Sequence, residues 1–316
     1  MKIIIRKFKE YFWKEQWNIA IFRGKISDFV EGKIKEKDLN WLFSDYKNSF
    51  CADPFLIEKN GSTFLFFEEF EYKKQKGRIM VSEILEDESG AIFASEAKVA
   101  LDHDNHISYP FVFSYDGKIF MLPETSSKKE VALYRATNFP LEWKKEKVLI
   151  NNFAGIDATL HFSKDRWWIF CSDDKLGCNE NLCIFHAKDL FGKWKAFTQN
   201  PVKSDIRNSR MAGPLFFWKK QLIRPAQNCE GTYGKEIILN KVESLSIKDF
   251  KEESIATFAT NKKSEYGEGM HTISASEKFV AIDAKKFLGI RKFLDPWNSK
   301  RKALKSKMRQ VFQKNV

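Results

Sequence analysis

The sequence predicts an all-β chain folded as a five-bladed β-propeller. The main observation is a sequence motif that recurs along the 316 residues: an apolar strand, a turn, and a second apolar strand. The first four copies begin 56, 48 and 56 residues apart, and a degenerate fifth copy follows about 58 residues later. A repeat of about 50 residues built from short strands is typical of propellers. Five copies therefore predict five blades, with the start of each repeat near one shared axis.

Each element of the predicted ring follows from this pattern. The copies begin at Asp53, Tyr109, Asp157, Gly213 and His271. Third strands are predicted at 78–81, 131–134, 182–185 and 236–239, where apolar residues follow each hairpin. The last repeat is short of strands, and the early segment 17–22 is strand-like. We therefore expect 17–22 to supply a strand to the last blade and close the ring.

Composition restricts the class of protein. Hydrophobic residues make up 43% of the chain and aromatic residues 15%, which is typical of a globular protein. No apolar run approaches the roughly 18 residues that a membrane-spanning helix needs, and the N-terminus lacks a secretory signal pattern. The five cysteines are odd in number and scattered, which favours reduced thiols. These features predict a cytoplasmic protein.

The net charge of +12 is concentrated near the C-terminus. Residues 285–316 contain eleven basic residues and one acidic residue, so the propeller body is nearly neutral. A nearly neutral body argues against a nucleic-acid partner. Apolar residues spaced by three and four predict a basic amphipathic helix in 285–316, which could lie on an anionic membrane surface. The alternatives are a solvated tail or a helix packed on the ring. We accordingly divide the chain into a propeller, 1–284, and a tail, 285–316.

The candidate chemistry lies where the inner strands line a central funnel. Asp53 and Asp157 occupy the same place in the first and third repeats, and Glu124 follows a strand that should reach the funnel. A carboxylate beside such apolar runs must be paired or must line a solvated cavity. We predict these three as catalytic residues. The alternative for Asp53 is a turn cap, which an Asp before a proline often provides.

A second set of polar residues is predicted to bind substrate. Its members lie at repeat starts or strand ends: His106, Tyr109, Arg207, Arg210, Arg224, Gln227, Tyr233 and His271. The three arginines suit bidentate binding of a phosphate, although structural salt bridges would explain them equally. Glu68 and Glu69 are explained as well by an exposed acidic edge. No familiar metal spacing or phosphate-binding loop occurs, so we expect neither a metal nor a cofactor.

Several of these motifs resemble a known family. The segments that carry the resemblance, in order, are Ala52-Asp53-Pro54-Phe55, His106-Ile107-Ser108-Tyr109-Pro110-Phe111, Pro123-Glu124-Thr125-Ser126, Leu133-Tyr134-Arg135-Ala136, Arg224-Pro225-Ala226-Gln227-Asn228 and Tyr233-Gly234. They are similar to the N-terminal domain of plant glucosamine inositolphosphorylceramide transferases and its bacterial stand-alone relatives. That domain in turn resembles the five-bladed propellers of family-43 glycoside hydrolases. The resemblance implies carbohydrate chemistry.

The resemblance to the hydrolases is incomplete. Family-43 enzymes use an Asp base on the first blade, an Asp on the second and a Glu acid on the third. Asp53 matches the base, but Tyr109 stands at the second position and Asp157 begins the third blade. Hydrolysis with inversion needs an acid and a base on opposite sides of the bond. Because no such pair can be assigned from the sequence, transfer is favoured over hydrolysis.

The expected function is therefore a glycosyltransferase of bacterial cell-surface polysaccharide biosynthesis, or a close accessory to one. It would act at the inner membrane face on a phosphate-activated sugar donor and a lipid-linked acceptor. Asp53 would take the acceptor's proton or anchor the sugar, Glu124 and Asp157 would bind hydroxyls or stabilise positive charge, and the arginines would hold the donor phosphate. The alternatives are a glycoside hydrolase or phosphorylase and a non-catalytic glycan-binding propeller.

Overall fold

The computed structural model describes residues 13–289, apart from residues 45 and 47. Residues 16–286 form one compact unit. The described strands assemble into five separate sheets, each of four or five strands. This arrangement confirms the predicted five-bladed β-propeller.

The strands follow one another with few other elements. Before the first repeat come β1 (Trp13–Arg23) and β2 (Asn40–Trp41). The first blade contains β3 (Ser49–Lys59), β4 (Ser62–Glu71), β5 (Lys76–Glu86), β6 (Ile92–Ala94) and β7 (Lys98–Leu101). The second contains β8 (Ser108–Tyr115), β9 (Lys118–Glu124), β10 (Glu130–Asn138) and β11 (Glu142–Asn151).

The third blade contains β12 (Gly155–Ser163), β13 (Arg166–Asp173), β14 (Asn181–Ala187), β15 (Lys195–Ala196) and β16 (Lys203–Ser204). The fourth contains β17 (Phe216–Trp218), β18 (Gln221–Asn228), β19 (Glu236–Leu245) and β20 (Phe250–Phe258), and the last strands are β21 (Ile273–Ala275) and β22 (Phe279–Gly289). A short helix, α1 (Ile26–Val30), and three 3-10 turns, Glu36–Asp38, Ser126–Lys128 and Asp174–Leu176, complete the described elements.

Each of the first four blades is an antiparallel meander. The strand order in the second is β11-β10-β9-β8, and the fourth runs β17-β18-β19-β20. Tight turns with positive φ connect the inner strands, for example at Asn60 (φ 52°) and Gly61 (φ 85°). The predicted third strands lie within β5, β10, β14 and β19.

The fifth blade combines both ends of the described chain. Its strand order is β2-β1-β22-β21, so β1 lies beside β22 although the two are far apart in sequence. The segment 17–22, for which the sequence predicts a ring-closing strand, lies within β1. Residues 285–289 belong to β22 and not to the helix predicted for 285–316. They continue the strand because it pairs within the sheet; the rest of that predicted tail lies outside the described residues.

The start of each inner strand departs from regular β geometry. Asp53 (φ 55°), Tyr109 (φ 46°) and Asp157 (φ 51°) all have left-handed backbones, and the β3/β4, β8/β9 and β12/β13 pairings each shift register across these residues. Gly213, at the corresponding place in the fourth repeat, has φ 125°. A β-bulge of this kind redirects a side chain and is common beside functional sites.

Aromatic side chains fill the space between the blades. Phe66, Phe120 and Phe170, from the second strands of the first three blades, are fully buried in the largest apolar cluster. Burying a side chain of this size contributes about 2–3 kcal/mol. No helix in the described part of the chain is long and apolar enough to cross a membrane.

Candidate active site

Side chains of neighbouring blades hold the bulged inner-strand residues in place. The Asp53 N–H donates to Oδ2 of Asp283 at 2.9 Å, and the Tyr109 N–H donates to Oδ2 of Asp53 at 3.2 Å. In the third blade, the Asp157 N–H donates to Oε2 of Glu124 at 3.2 Å. A carboxylate of one blade therefore accepts a hydrogen bond from a backbone N–H of the next blade. This arrangement brings the three predicted catalytic residues into one connected, buried system.

Tyr109 extends the same arrangement to the fourth blade. Its hydroxyl accepts the Gly213 N–H at 2.9 Å and lies 2.8 Å from Oγ1 of Thr159. The ring is completely buried. Tyr109 thus connects three blades from the second-blade position where family-43 enzymes have an Asp.

Asp53 is buried with both carboxylate oxygens in contact with polar groups. Oδ1 accepts the hydroxyl of Thr272 at 2.9 Å and lies 3.5 Å from Nε2 of His271. Burial raises the pKa of Asp53 to about 6; the charge of His271 opposes this shift, and the charges of Asp157 and Asp283 add to it. Near neutral pH, Asp53 is therefore a carboxylate that can accept a proton, as a general base must.

His271 lies between two carboxylates. Its Nδ1 is 2.7 Å from Oδ2 of Asp283, and the backbone N–H groups of His271 and Thr272 donate to Oδ1 of the same residue. Burial lowers the pKa of His271, but Asp283 and Asp53 outweigh it, so the net shift is upward. This shift favours the protonated, positively charged form of His271.

Asp157 forms the second ion pair of the site. Nε and Nη2 of Arg210 donate to its two oxygens at 2.6 and 3.2 Å, and Nε2 of Gln227 donates to Oδ2 at 3.0 Å. Burial raises the pKa of Asp157 to about 6, while Arg210 opposes the shift. Arg210 also stacks 4.9 Å from the ring centroid of Tyr233, which restricts the guanidinium to one orientation.

Glu124 is the third buried carboxyl predicted from the sequence. Its Oε1 accepts the hydroxyl of Ser126 at 2.8 Å, and its Oε2 holds the Asp157 N–H. Burial raises its pKa, although Arg210 and Ser126 counteract this. Glu124 therefore orients Asp157 directly and belongs to the same electrostatic system.

The three arginines predicted to bind phosphate form ion pairs with three different carboxylates. Arg224 is fully buried, and its five N–H groups donate to Glu252 (twice), Asn208, Ser209 and Met211. With every donor occupied, Arg224 is not free to bind a ligand. These bonds form the structural salt bridge that the sequence left open as the alternative to substrate binding.

Arg207 is also separated from the site. It is exposed, and its Nε and Nη2 donate to both oxygens of Asp205, two residues away, at 2.9 Å each. Only Arg210 of the three lies with the predicted catalytic carboxylates. The sequence grouped them because they flank one repeat, but Arg207 pairs locally with Asp205, whereas Arg224 pairs with Glu252 of β20.

His106 lies at the side of the first blade. Its Nδ1 accepts the Gly77 N–H at 2.9 Å and is 3.7 Å from Oε1 of Glu68. Because Nδ1 accepts a hydrogen bond from the Gly77 N–H, it carries a lone pair, and the neutral ring has its proton on Nε2. Burial lowers the pKa of His106, which favours the same state.

The structure adds groups that the sequence did not single out. Asp283 and Lys285 are both completely buried in β22, and the Lys285 Nζ donates to Oγ1 of Thr232 at 2.9 Å and lies 5.2 Å from the ring centroid of Trp17. Trp17 in turn lies 4.1 Å from His271, centroid to centroid. The sequence signal for Asp283 and Lys285 was a pair of ionisable residues two positions apart at the end of an apolar run.

Asp53, His271 and Asp283 offer three atoms within 4.8 Å of one another, close enough to surround a metal ion. However, Oδ2 of Asp283 accepts the Asp53 N–H and lies 2.7 Å from Nδ1 of His271. The charges of Asp283 and Asp53 raise the pKa of His271, which favours a protonated ring between the two carboxylates. We therefore describe the group as a buried ion pair.

A cavity of about 220 Å³ lies elsewhere, against the opposite face of β22. Its walls are largely aromatic and aliphatic and include Phe22, Phe29, Trp41 and Tyr266. Asp283 and Lys285 alternate with Ile282 and Ala284, which line this cavity, so the two sites lie on opposite faces of one strand. The cavity lacks the cluster of titratable groups that chemistry on a sugar would require.

The fold is a five-bladed β-propeller in which carboxylates near the starts and ends of the inner strands are buried. Among solved structures, a family 43 β-xylosidase/α-arabinofuranosidase from a compost microbial metagenome matches with a TM-score of 0.52 at 13% identity, over 76% of this chain and 91% of that one. A family 117 glycoside hydrolase from Zobellia galactanivorans matches with a TM-score of 0.50 at 11% identity, over 87% and 91% of the two chains. At such identities the likeness concerns the fold alone.

Sequence comparison is more specific. Residues 42–283 match the family model described as glucosamine inositolphosphorylceramide transferase 1, N-terminal, and the chain belongs to that family. The rice (Oryza sativa subsp. japonica) transferase of that name is 41% identical over 212 residues, and the Arabidopsis thaliana protein is 35% identical over 214. Each match covers 66% of this chain and only 28% of the relative. The resemblance stated from the motifs is thereby confirmed.

Proposed function

We propose that this propeller carries out glycosyl transfer at its axis, with an activated sugar as donor. The observation that carries the proposal is the buried group of Asp53, Glu124 and Asp157, held between two cations, Arg210 and His271. Carboxylates with raised pKa values beside fixed cations can move protons and stabilise a developing charge. The name of the plant relatives supports transfer of a glucosamine-type sugar to an inositol phosphate lipid.

Asp53 is the proposed base. It would take the proton of the acceptor hydroxyl while the bond from the anomeric carbon to the leaving oxygen breaks. Oδ1 already accepts the hydroxyl of Thr272 and Oδ2 accepts the Tyr109 N–H, so the incoming proton would go to a remaining lone pair of the carboxylate. His271 fixes the carboxylate from the side and limits the rise in its pKa.

Asp157 and Arg210 form the proposed binding pair. Hydroxyl groups of a sugar could exchange with the longer of their two contacts, the 3.2 Å one between Nη2 and Oδ1. Arg210 is also the remaining arginine for a donor phosphate, since Arg207 and Arg224 are engaged elsewhere. Glu124, Gln227 and Tyr233 hold this pair in position.

The proposal is tested with the chain of 316 residues, nucleotide-activated N-acetylglucosamine as donor and inositolphosphorylceramide as acceptor. Asp53→Asn should reduce turnover by about 10²–10⁴-fold, the usual contribution of a general base. Wild-type activity should fall as the pH drops through about 6, because Asp53 then becomes protonated. Asp205→Asn is the matched control, since Asp205 pairs with exposed Arg207 away from the site.

Equal activity of Asp53→Asn and wild type would contradict the assignment of the base. Two other functions remain as outcomes. Release of free sugar from glycosides, lost in Asp53→Asn, would indicate the hydrolase or phosphorylase suggested by the fold. Glycan binding that survives Asp53→Asn, with no turnover of any activated donor, would indicate a non-catalytic glycan-binding propeller.

We also propose, from the sequence pattern, that the protein works at the cytoplasmic face of a membrane in polysaccharide assembly. The basic composition of 285–316 supports this location, because clustered lysines and arginines are attracted to anionic lipid. A lipid-linked acceptor would be presented at that surface.

A further inference from the structure

The first blade contains a buried carboxyl group that the mechanism above does not use. Glu68 ends the apolar run of β4 and is only 6% exposed. Its Oε1 is fully buried and has no hydrogen-bond partner among the described residues. Leaving an ionised carboxylate in that state would cost several kcal/mol, and such a group normally takes up a proton instead.

The neighbouring Glu69 shows which contacts a buried, ionised glutamate on this strand requires. Glu69 accepts Nε and Nη2 of Arg78 at 2.9 and 2.7 Å and the hydroxyl of Ser49 at 2.9 Å. Arg78 is therefore committed to Glu69. The nearest ring nitrogen to Glu68, Nδ1 of His106, carries a lone pair because it accepts the Gly77 N–H. It can neither donate to Glu68 nor neutralise it.

The surroundings of Glu68 keep it close to the proposed base. Ala52, next to Asp53, pairs with Glu68 across β3 and β4. The backbone opposite is kept clear by Gly77, where a Cβ would lie 2.1 Å from Oε1 of Glu68 and 2.7 Å from the Ile107 carbonyl. A glycine at this point of β5 thus makes room for the carboxyl group.

We propose that Glu68 is the proton donor of the site: a carboxylic acid in the free protein that gives its proton to the oxygen leaving the anomeric carbon. This inference rests on the proposed glycosyl transfer. Asp53 takes the proton of the acceptor hydroxyl as the new C–O bond forms, and Glu68 supplies the proton that the departing oxygen gains. The protons balance, and exchange with solvent restores both groups after release of the products.

The charged groups that act on Glu68 all favour its neutral form. Burial raises its pKa well above the usual range, and the negative charges of Asp53, Glu124, Asp157 and Asp283 raise it further. These carboxylates come from β3, β9, β12 and β22. The proposed acid, Glu68, therefore lies on β4, the second strand of the first blade.

The protonation state can be measured without any substrate. In the full chain labelled with ¹³C-glutamate, infrared spectra at pH 7 should contain a protonated-carboxyl band that disappears in Glu68→Gln and persists in Glu69→Gln. Glu68→Asp provides a second variant, because it also removes this glutamate band while retaining a carboxyl group. A spectrum unchanged by both Glu68 variants would overturn the proposal, whether or not turnover has been found.

The catalytic role is tested by the pH profile of turnover. Glu68→Gln should lower kcat/KM by about 10²–10⁴-fold and remove the loss of activity at high pH, where the wild-type acid ionises. Glu69→Gln should keep the wild-type profile. A protonated Glu68 whose Gln variant retains the wild-type profile would overturn the role in catalysis. Absence of turnover in wild type would instead count against the proposed function and leave the infrared result to stand.

Discussion

Arg224 and Arg207 carry the same guanidinium group in opposite surroundings. Arg224 is completely buried and bonded to Glu252, which is itself only 4% exposed at the side chain, whereas Arg207 is 62% exposed. The sequence assigned both to one phosphate site because it shows proximity along the chain but not the partner that each side chain finds. Glu252, which lies on β20, is 28 residues from Arg224.

This difference predicts a large contrast in stability. Arg224→Ala should lower the free energy of unfolding by about 3–5 kcal/mol, since it leaves the buried Glu252 with only Lys203 as a cationic partner. Arg207→Ala should leave the denaturation midpoint unchanged, because its pair with Asp205 is exposed. Urea denaturation of both variants measures the contrast. Equal midpoints would contradict the structural role of Arg224.

The catalytic candidates were easier to predict than their partners. Asp53 and Asp157 stand at equivalent places of a repeated phrase, so their convergence follows once the repeat is recognised. Asp283 was not predicted, because it lies in the degenerate fifth copy of the repeat. Its role depends on the hydrogen bonds that its carboxylate accepts from the backbone N–H groups of Asp53 and His271. The contact with Asp53 joins residues 230 positions apart and is set by ring closure.

At the scale of elements, the bulge that begins each inner strand determines which side chains reach the site. The sequence predicted the strands and their turns from apolar runs and Gly or Asn signals. It did not predict the register shifts at Asp53, Tyr109 and Asp157. Left-handed backbones at non-glycine residues are unfavourable alone, and here hydrogen bonds from neighbouring blades hold them.

The fourth blade provides a test of this geometry. A Cβ at Gly213 would lie 1.9 Å from the backbone oxygen of Ile273, which cannot move away as a flexible side chain would. Gly213→Ala should therefore lower the melting temperature by several degrees, equivalent to about 1–3 kcal/mol. Gly117→Ala is the control, because Gly117 also has positive φ (69°) but no neighbour within 4 Å. Similar losses in both variants would show that backbone strain, and not the clash, is responsible.

At the scale of the whole molecule, the repeat predicted the number of blades because every blade uses the same strand–turn–strand unit. The extent of the last strand was harder to predict, since Lys285 and Lys286 resemble the start of the basic tail. Burial of Lys285 and its bonds to residues 232 and 233 keep this segment in β22. Charge alone was therefore a poor guide to that boundary.

The compactness of residues 16–286 allows the membrane proposal to be tested separately. Removing residues 290–316 should abolish binding to vesicles rich in phosphatidylserine, because it removes nine basic residues and one acidic residue. The cooperative thermal unfolding of the propeller should remain. Neutral vesicles and high salt provide controls, since electrostatic attraction should be weak in both. Vesicle binding that persists after the deletion would place the contact elsewhere.

The pairing of β1 with β22 has a consequence for the order of synthesis. β1 leaves the ribosome before the other described strands, and its neighbour in the sheet, β22, is the last of them to follow. The same late strand brings Asp283, on which the Asp53 backbone and His271 depend. A nascent or prematurely terminated chain that lacks β22 therefore has an open ring and an incomplete candidate site, so the proposed activity requires translation to have passed residue 289.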